Sequence, residues 1–237
     1  GPNRDGRATE FAAPKTWPQQ FAQKWKTTVG DGDASPAVLG DKLYAFARQE
    51  GKEVILCLDS STGKELWRES YDAEGATGPA SRHAGPRSSP AGADGKGVTL
   101  GVRGVVSCLD AAGGKELWRK DEYPGSWPRF FTASSPILVD GLAIVQLGKE
   151  GDGAIVAFDL TTGSAKWKWT AEGPAYASPA LLTVGGTKMV TTLTEKSVVG
   201  IAVADGNLLW QVPRLYPRAG PTTPRLPSWM GRRSSAP

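Results

Sequence analysis

Few residues in this chain are equipped for chemistry. Among 237 residues there are two cysteines, Cys57 and Cys108, and one histidine, His83. A Cys/His zinc cage needs more ligands than that, and a disulfide scaffold needs several cysteine pairs, so both are excluded. His83 stands in the run Arg82-His83-Ala84-Gly85-Pro86-Arg87. A loop imidazole can act as a ligand or a base, but no motif places a carboxylate or a nucleophile beside it. Ser88-Ser89 and Ser134-Ser135 offer hydroxyls, yet both recur with a following proline, which marks them as repeat structure rather than nucleophiles.

Charge narrows the partners. The formal charge is +4, and residues 211–237 hold five arginines (Arg214, Arg218, Arg225, Arg232 and Arg233) and no acid, which leaves a net charge of −1 on residues 1–210. The basic character belongs to the tail, no phosphate-binding stripe is visible, and no nucleic-acid partner is expected. No apolar run approaches the ~18 residues of a membrane helix. The chain opens at Gly1 without an initiator Met and reads as starting inside a longer segment, so the lack of a leader says nothing of compartment.

The elements that would position these residues come from a repeat. LDSSTGKELW at 58–67 returns as LDAAGGKELW at 109–118, FDLTTGSAKW at 158–167 and IAVADGNLLW at 201–210. Gly63, Gly114, Gly163 and Gly206 each stand four residues before Trp67, Trp118, Trp167 and Trp210. Asp59, Asp110 and Asp159 stand eight before theirs, and Ala202 departs from the pattern in the fourth unit. A Ser-Pro phrase precedes each unit, at Ser35-Pro36, Ser89-Pro90, Ser135-Pro136 and Ser178-Pro179. Successive tryptophans are 51, 49 and 43 residues apart, and Trp25, 42 before Trp67, reads as the end of an earlier partial unit.

A period of about 40–50 residues indicates a propeller or a solenoid. The first unit decides between them: Ala34–Leu39, Lys42–Arg48, Glu53–Leu58 and Glu65–Tyr71 read as four short strands with no sustained 3.6 period. Four antiparallel strands per unit make a propeller blade. In Asp-x-x-Thr-Gly the carboxylate can cap backbone N–H groups and the glycine accepts φ > 0. The tryptophan then lies on the outer strand, where its ring can cover the neighbouring blade and bury roughly 200 Å². The expected fold is all-β: a propeller of four-stranded antiparallel blades, incomplete, with about four blades of a ring of seven or eight.

These residues resemble a known group. A-x-D-x-x-T-G-x-x-x-W is the tryptophan-docking motif of PQQ-like, quinoprotein-type propellers, and Ala157 through Asp159 and Gly163 to Trp167 match it best. Cys57 and Cys108 replace the alanine in units one and two, and Gly200 in unit four. The opening Gly1-Pro2-Asn3-Arg4-Asp5-Gly6 is similar to the start of the mature region in bacterial PQQ-like repeat proteins of the BamB-like outer-membrane assembly kind. The resemblance spans roughly residues 1–212; it is specific for fold and weak for function. It implies an exported propeller of the periplasm or cell envelope. Some relatives are quinoprotein dehydrogenases with PQQ and calcium at the propeller centre, and others are cofactor-free protein-binding scaffolds.

The enzyme reading finds little support in the residues. Quinoprotein dehydrogenases commonly set a disulfide of adjacent cysteines over the PQQ ring, whereas Cys57 and Cys108 are 51 residues apart in equivalent places of successive blades. Such places are not expected within the Cα limit of about 7 Å for a bridge, so both cysteines are read as small buried core residues. A calcium site needs six to eight convergent oxygens, and the acids here sit in turns or on outer strands. No haem attachment motif is present. The expected function is therefore a non-catalytic scaffold that binds protein or peptide, with no cofactor and no catalytic or metal-binding residue. The alternative is a fragment of a PQQ/calcium-dependent dehydrogenase whose remaining blades carry the site. Arg82, His83, Arg87, Trp127, Arg129 and Tyr176 all precede inner strands and are candidates for one mouth of the central channel.

Three segments are expected: an extended N-terminal stretch at 1–24, blades at 25–212, and an irregular Pro/Arg-rich tail at 213–237. The tail reads as a shifted reading frame, whose neighbour can spell a Pro-apolar-apolar-Asp-Gly phrase like Pro136–Gly141. An open ring exposes edge strands, so the isolated chain is expected to self-associate.

Overall fold

The computed structural model describes residues 12–214. Among the described residues sixteen strands form four antiparallel four-stranded sheets, each built from consecutive strands, and the sheets do not close a ring. The first blade contains β1 (Ala37–Leu39), β2 (Lys42–Gln49), β3 (Lys52–Asp59) and β4 (Glu65–Asp72). The second contains β5 (Ala91–Ala93), β6 (Lys96–Leu100), β7 (Val106–Asp110) and β8 (Glu116–Lys120). The third contains β9 (Ile137–Val139), β10 (Leu142–Lys149), β11 (Asp152–Asp159) and β12 (Ala165–Trp169). The fourth contains β13 (Ala180–Val184), β14 (Thr187–Leu193), β15 (Ser197–Ala202) and β16 (Leu208–Pro213). The four strands expected in the first unit are all present, except that Ala34–Pro36 precede β1 instead of joining it. Residues 1–11 and 215–237, with the frame-shift reading of the tail, lie outside the described residues.

Local chemistry builds the turn between the third and fourth strand of each blade. Asp59 Oδ1 accepts hydrogen bonds from the N–H of Ser61 (3.1 Å) and Thr62 (2.8 Å), while the Gly63 N–H donates to Asp59 O at 2.8 Å. Asp159 repeats this with Thr161 (3.0 Å) and Thr162 (2.8 Å), and Asp110 accepts from the Gly113 N–H at 2.7 Å. The Ser61 and Thr62 hydroxyls, each 2.7 Å from Asp59 Oδ1, with the Thr62 N–H lower the Asp59 pKa to about 2, and the Thr162 N–H does the same for Asp159. Ala202 lacks the carboxylate, yet Gly206 N–H still donates to Ala202 O at 3.0 Å, and Asp205 accepts from Asn207 N–H instead. The backbone loop, set by a glycine at positive φ in all four units, survives loss of the cap.

The same position carries a bulge in every blade. Register shifts fall between Cys57 and Leu58, Cys108 and Leu109, Ala157 and Phe158, and Gly200 and Ile201. The first residue of each pair lies opposite its tryptophan across the sheet, as in Cys57 opposite Trp67. A large ring on one strand leaves space for only a small residue beside it, which accounts for the Cys, Cys, Ala and Gly found there.

Each ring then reaches the next blade. A Cβ placed on Gly63, Gly114, Gly163 or Gly206 would come under 3.0 Å from the indole of Trp25, Trp67, Trp118 or Trp167, respectively. Nε1 of Trp25, Trp118 and Trp167 donates to the backbone oxygens of Ser60 (3.1 Å), Leu160 (3.1 Å) and Val203 (2.9 Å). Trp210 turns back on its own blade, against Gly200, and donates to Met189 Sδ at 3.2 Å.

The middle strands bury both faces, one toward each neighbour. Val145, Leu147 and Val156 pack toward the second blade with Val98, Leu100 and Val106. Their sequence neighbours Ile144, Ile155 and Ala157 pack toward the fourth with Val190, Val199 and Ile201. This is why β10 and β11 read as continuous apolar runs rather than alternating ones. Cys57 and Cys108 are buried and free.

Candidate functional site

The inner strands are joined around the channel by the Ser-Pro phrase. The N–H of Ser35 donates to Ser89 Oγ (3.2 Å), that of Ser89 to Ser135 Oγ (2.9 Å), and that of Ser135 to Ser178 Oγ (2.9 Å). The neighbouring Ser88 Oγ donates to Ser134 O at 2.8 Å. One serine per blade therefore spaces the channel wall. The repeated Ser-Pro is its sequence signal, and that signal was legible only as repetition.

Two buried polar groups pin blades together higher up. Glu53 in β3 accepts from Val102 N–H of the second blade at 2.7 Å and from the Tyr71 hydroxyl. Burial pushes its carboxyl up despite these hydrogen bonds. Gln146 in β10 donates to Ala177 O (2.8 Å) and Thr192 Oγ1 (2.7 Å), both of the fourth blade's side, and accepts from Ala175 N–H (3.1 Å).

A cavity of about 720 Å³ opens along β1, β5 and β9. Val38, Leu39, Ile137 and Leu138 supply apolar wall, Pro36, Pro90 and Gly92 keep it open, and Lys96 is its charged group. None of the six channel-mouth candidates lines it.

Those six stand on the opposite ends of the strands, on the connections from each outer strand to the next inner one. Arg82 and His83 belong to a 3-10 turn, Gly78–His83. His83 Nδ1 lies 3.0 Å from Asp33 Oδ1. Arg87 donates to Ala80 O (3.2 Å) and His83 O (2.6 Å), stapling the turn. Trp127 stacks on Phe131 with centroids 5.5 Å apart, beneath the Arg103 guanidinium at 4.6 Å. Arg103 pairs with Glu74 at 2.8 Å. Arg129 covers Phe130 at 5.5 Å, and Phe130 meets Tyr176 at 6.2 Å and donates its N–H to the Tyr176 hydroxyl at 3.0 Å.

The structure thus brings the candidates together as three groups that touch in series. Ala76, Ala80, Val102 and Phe131 join the first connection to the second, and Phe130 with Tyr176 joins the second to the third. Sequence reasoning missed Asp33, Arg103, Phe130 and Phe131. The run Arg129-Phe130-Phe131, two aromatics in a loop beside a cation, was the available signal for the last two.

The thiols are poorly placed for chemistry. Burial pushes Cys108 up to about 11 and Cys57 upward as well, and neither is a ready nucleophile. Among the described residues, no group of three or more His, Cys, Asp or Glu is gathered as a metal site.

Comparison with known proteins follows the architecture. BamB of Yersinia pestis, an outer membrane protein assembly factor, is 25% identical over 202 residues, covering 79% of this chain and 47% of that protein. The quinohemoprotein alcohol dehydrogenase of Comamonas testosteroni is 28% identical over 142 residues, covering 58% of this chain and 19% of its own; a crystal structure under that name superposes with TM-score 0.57 at 19% identity, over 78% of this chain and 36% of that one. The crystal structure of BamB from Moraxella catarrhalis superposes with TM-score 0.56 at 20% identity, over 80% of this chain and 51% of its own. The chain spans about half or less of the curated relatives it matches. A family model matches residues 14–149 and 51–225, and with four blades of the same repeat in place the chain belongs to that family, the PQQ-like repeat proteins described as outer membrane protein assembly factor BamB.

Proposed function

We propose that this chain is a non-catalytic PQQ-like propeller scaffold of the bacterial cell envelope, located in the periplasm, that binds protein or peptide. The observation carrying this reading is the loop face, where Phe130 and Tyr176 are 46% and 44% exposed and Arg129 lies over the Phe130 ring. Arginine and aromatic side chains are the residues that dominate protein interfaces. The relationship to BamB, named for outer membrane protein assembly, favours the same class.

A second reading rests on one comparison, the relative that is a quinohemoprotein alcohol dehydrogenase. Under it, PQQ and calcium would be held with the help of blades outside this chain, and the PQQ would supply the redox chemistry.

The test separates the two. A photo-crosslinking residue placed at Phe130, and another at Lys115 on the opposite face, are expressed with an export signal in bacterial cells. Crosslinks to an envelope protein from position 130 and not from 115 are expected. Dye-linked alcohol oxidation by the purified chain on adding PQQ and calcium overturns the scaffold reading.

A further inference from the structure

Charge is segregated along the three connections between blades. Their outer ends carry Asp72, Glu74, Asp121, Glu122 and Glu172. From there inward, residues 75–93, 123–139 and 173–184 contain no acid at all, and hold Arg82, His83, Arg87 and Arg129. His83 is matched by Asp33. Arg82, Arg87 and Arg129 have no carboxylate partner among the described residues. Arg82 and Arg129 are exposed, and one Nη of Arg87 is buried without a hydrogen bond.

We propose that this inner rim binds an extended acidic peptide, whose carboxylates meet the exposed Arg82 and Arg129 and whose apolar side chain rests on the Phe130–Tyr176 pair. The inference rests on the protein-binding reading and names its partner's chemistry. Arg82 and Arg129 are exposed guanidinium groups without a carboxylate partner among the described residues, and guanidinium binds carboxylate in forked geometry. The Tyr176 side chain is already braced by the hydrogen bond its hydroxyl accepts from Phe130 N–H, so little of its freedom is lost when a partner covers it. Asp72, Glu74 and Glu122 are ion-paired with Lys52, Arg103 and Lys168, which leaves Asp121 at the outer end for a nucleic acid or an anionic membrane to cross, whereas a short peptide segment sits inside it.

The experiment measures fluorescence anisotropy of a short labelled peptide of alternating Glu, Gly and Phe on the full chain. Its Gln-for-Glu and Lys-for-Glu counterparts are measured alongside. The Glu peptide is expected to bind about tenfold tighter than the Gln peptide, a difference that shrinks with added salt. R82E with R129E should reverse the preference toward the Lys peptide, and Phe130→Ser should weaken all three. Lys115→Glu, a single charge reversal on the opposite face, should change nothing.

Equal affinity for Glu and Gln peptides, or an unchanged preference in the double variant with its melting transition intact, overturns the proposal. So does equally tight binding of phosphatidylglycerol vesicles or single-stranded DNA. If crosslinks from position 130 persist while the Glu peptide fails, the acidic-peptide site falls and the scaffold reading stands. PQQ-dependent turnover instead removes the scaffold reading itself.

Discussion

The Tyr44 hydroxyl donates to the backbone oxygen of Ala111 at 2.9 Å, and the Nε1 of Trp67 beside it is buried with no hydrogen-bond partner. The two facts are one event. Trp25, Trp118 and Trp167 donate to Ser60, Leu160 and Val203, each seven residues before the next blade's tryptophan. Ala111 is the equivalent residue for Trp67, and Tyr44 has taken its oxygen. The places equivalent to Tyr44 are Val98 and Ile144 in the next two blades, which cannot compete.

Tyr44→Phe should therefore be nearly free of cost. Losing a buried hydrogen bond normally costs about 1 kcal/mol, and leaving a donor unpaired about 1–3 kcal/mol. Here the variant releases Ala111 O to the orphaned Trp67 N–H, so the two effects offset. A urea midpoint within about 1 kcal/mol of the parent is expected, and a loss beyond about 2 kcal/mol contradicts the competition.

Gly163→Ala and Gly141→Ala separate backbone strain from ring contact. Both glycines have positive φ, 70° and 73°, but only Gly163 faces an indole; Gly141 has open space. Gly141→Ala should cost about 1 kcal/mol from the backbone alone. Gly163→Ala should cost about 2–4 kcal/mol, since the Trp118 ring must also move. Equal costs by chemical denaturation would mean the ring contact adds nothing.

Ser135→Ala deletes the acceptor for Ser89 N–H without touching the apolar core. The expected loss is about 1–2 kcal/mol. Hydrogen exchange gives the sharper readout, because the Ser89 amide should exchange faster while Ser35, bonded to Ser89 Oγ, keeps its protection. Uniform acceleration at both would indicate global destabilisation rather than a broken rung.

Glu53→Gln tests the buried carboxyl through pH. Burial raises the folded-state pKa of Glu53 above its ordinary 4.5. The folded state then holds the proton more tightly than the unfolded one, so this group's stabilisation is complete below pH 4.5 and is lost as pH rises through the raised value. Glutamine does not titrate and keeps an acceptor for Val102 N–H. The melting temperature of the variant should gain on the parent as pH rises from 4.5 toward neutrality. A gap that is flat or shrinks with pH refutes the assignment.

The blades were legible because their determinants are local. Asp59 capping Ser61 and Thr62, or Gly63 at positive φ, involves residues within four positions of each other, and the strand lengths follow from such turns. Ala202 looked like a defect for the same reason, and the backbone loop around it closed anyway because the glycine, not the carboxylate, sets its path. The channel-mouth candidates were harder. Their order in the chain placed them ahead of inner strands, but nothing local disclosed that Phe130 meets Tyr176, or that the cavity along β1, β5 and β9 lies at the opposite ends of the strands.

By itself the sequence determined four units, their strands, their turns and the small residue facing each tryptophan, since all of these arise within about fifty residues of chain. Only the tertiary structure decided which carbonyl Tyr44 takes, that Ser35, Ser89, Ser135 and Ser178 form one ladder, and that Arg129 and Phe130 meet the exposed Tyr176 ring. Those relationships join residues some 40 to 70 positions apart. They exist because stacking one blade on the next fixes distances that no turn or strand propensity encodes.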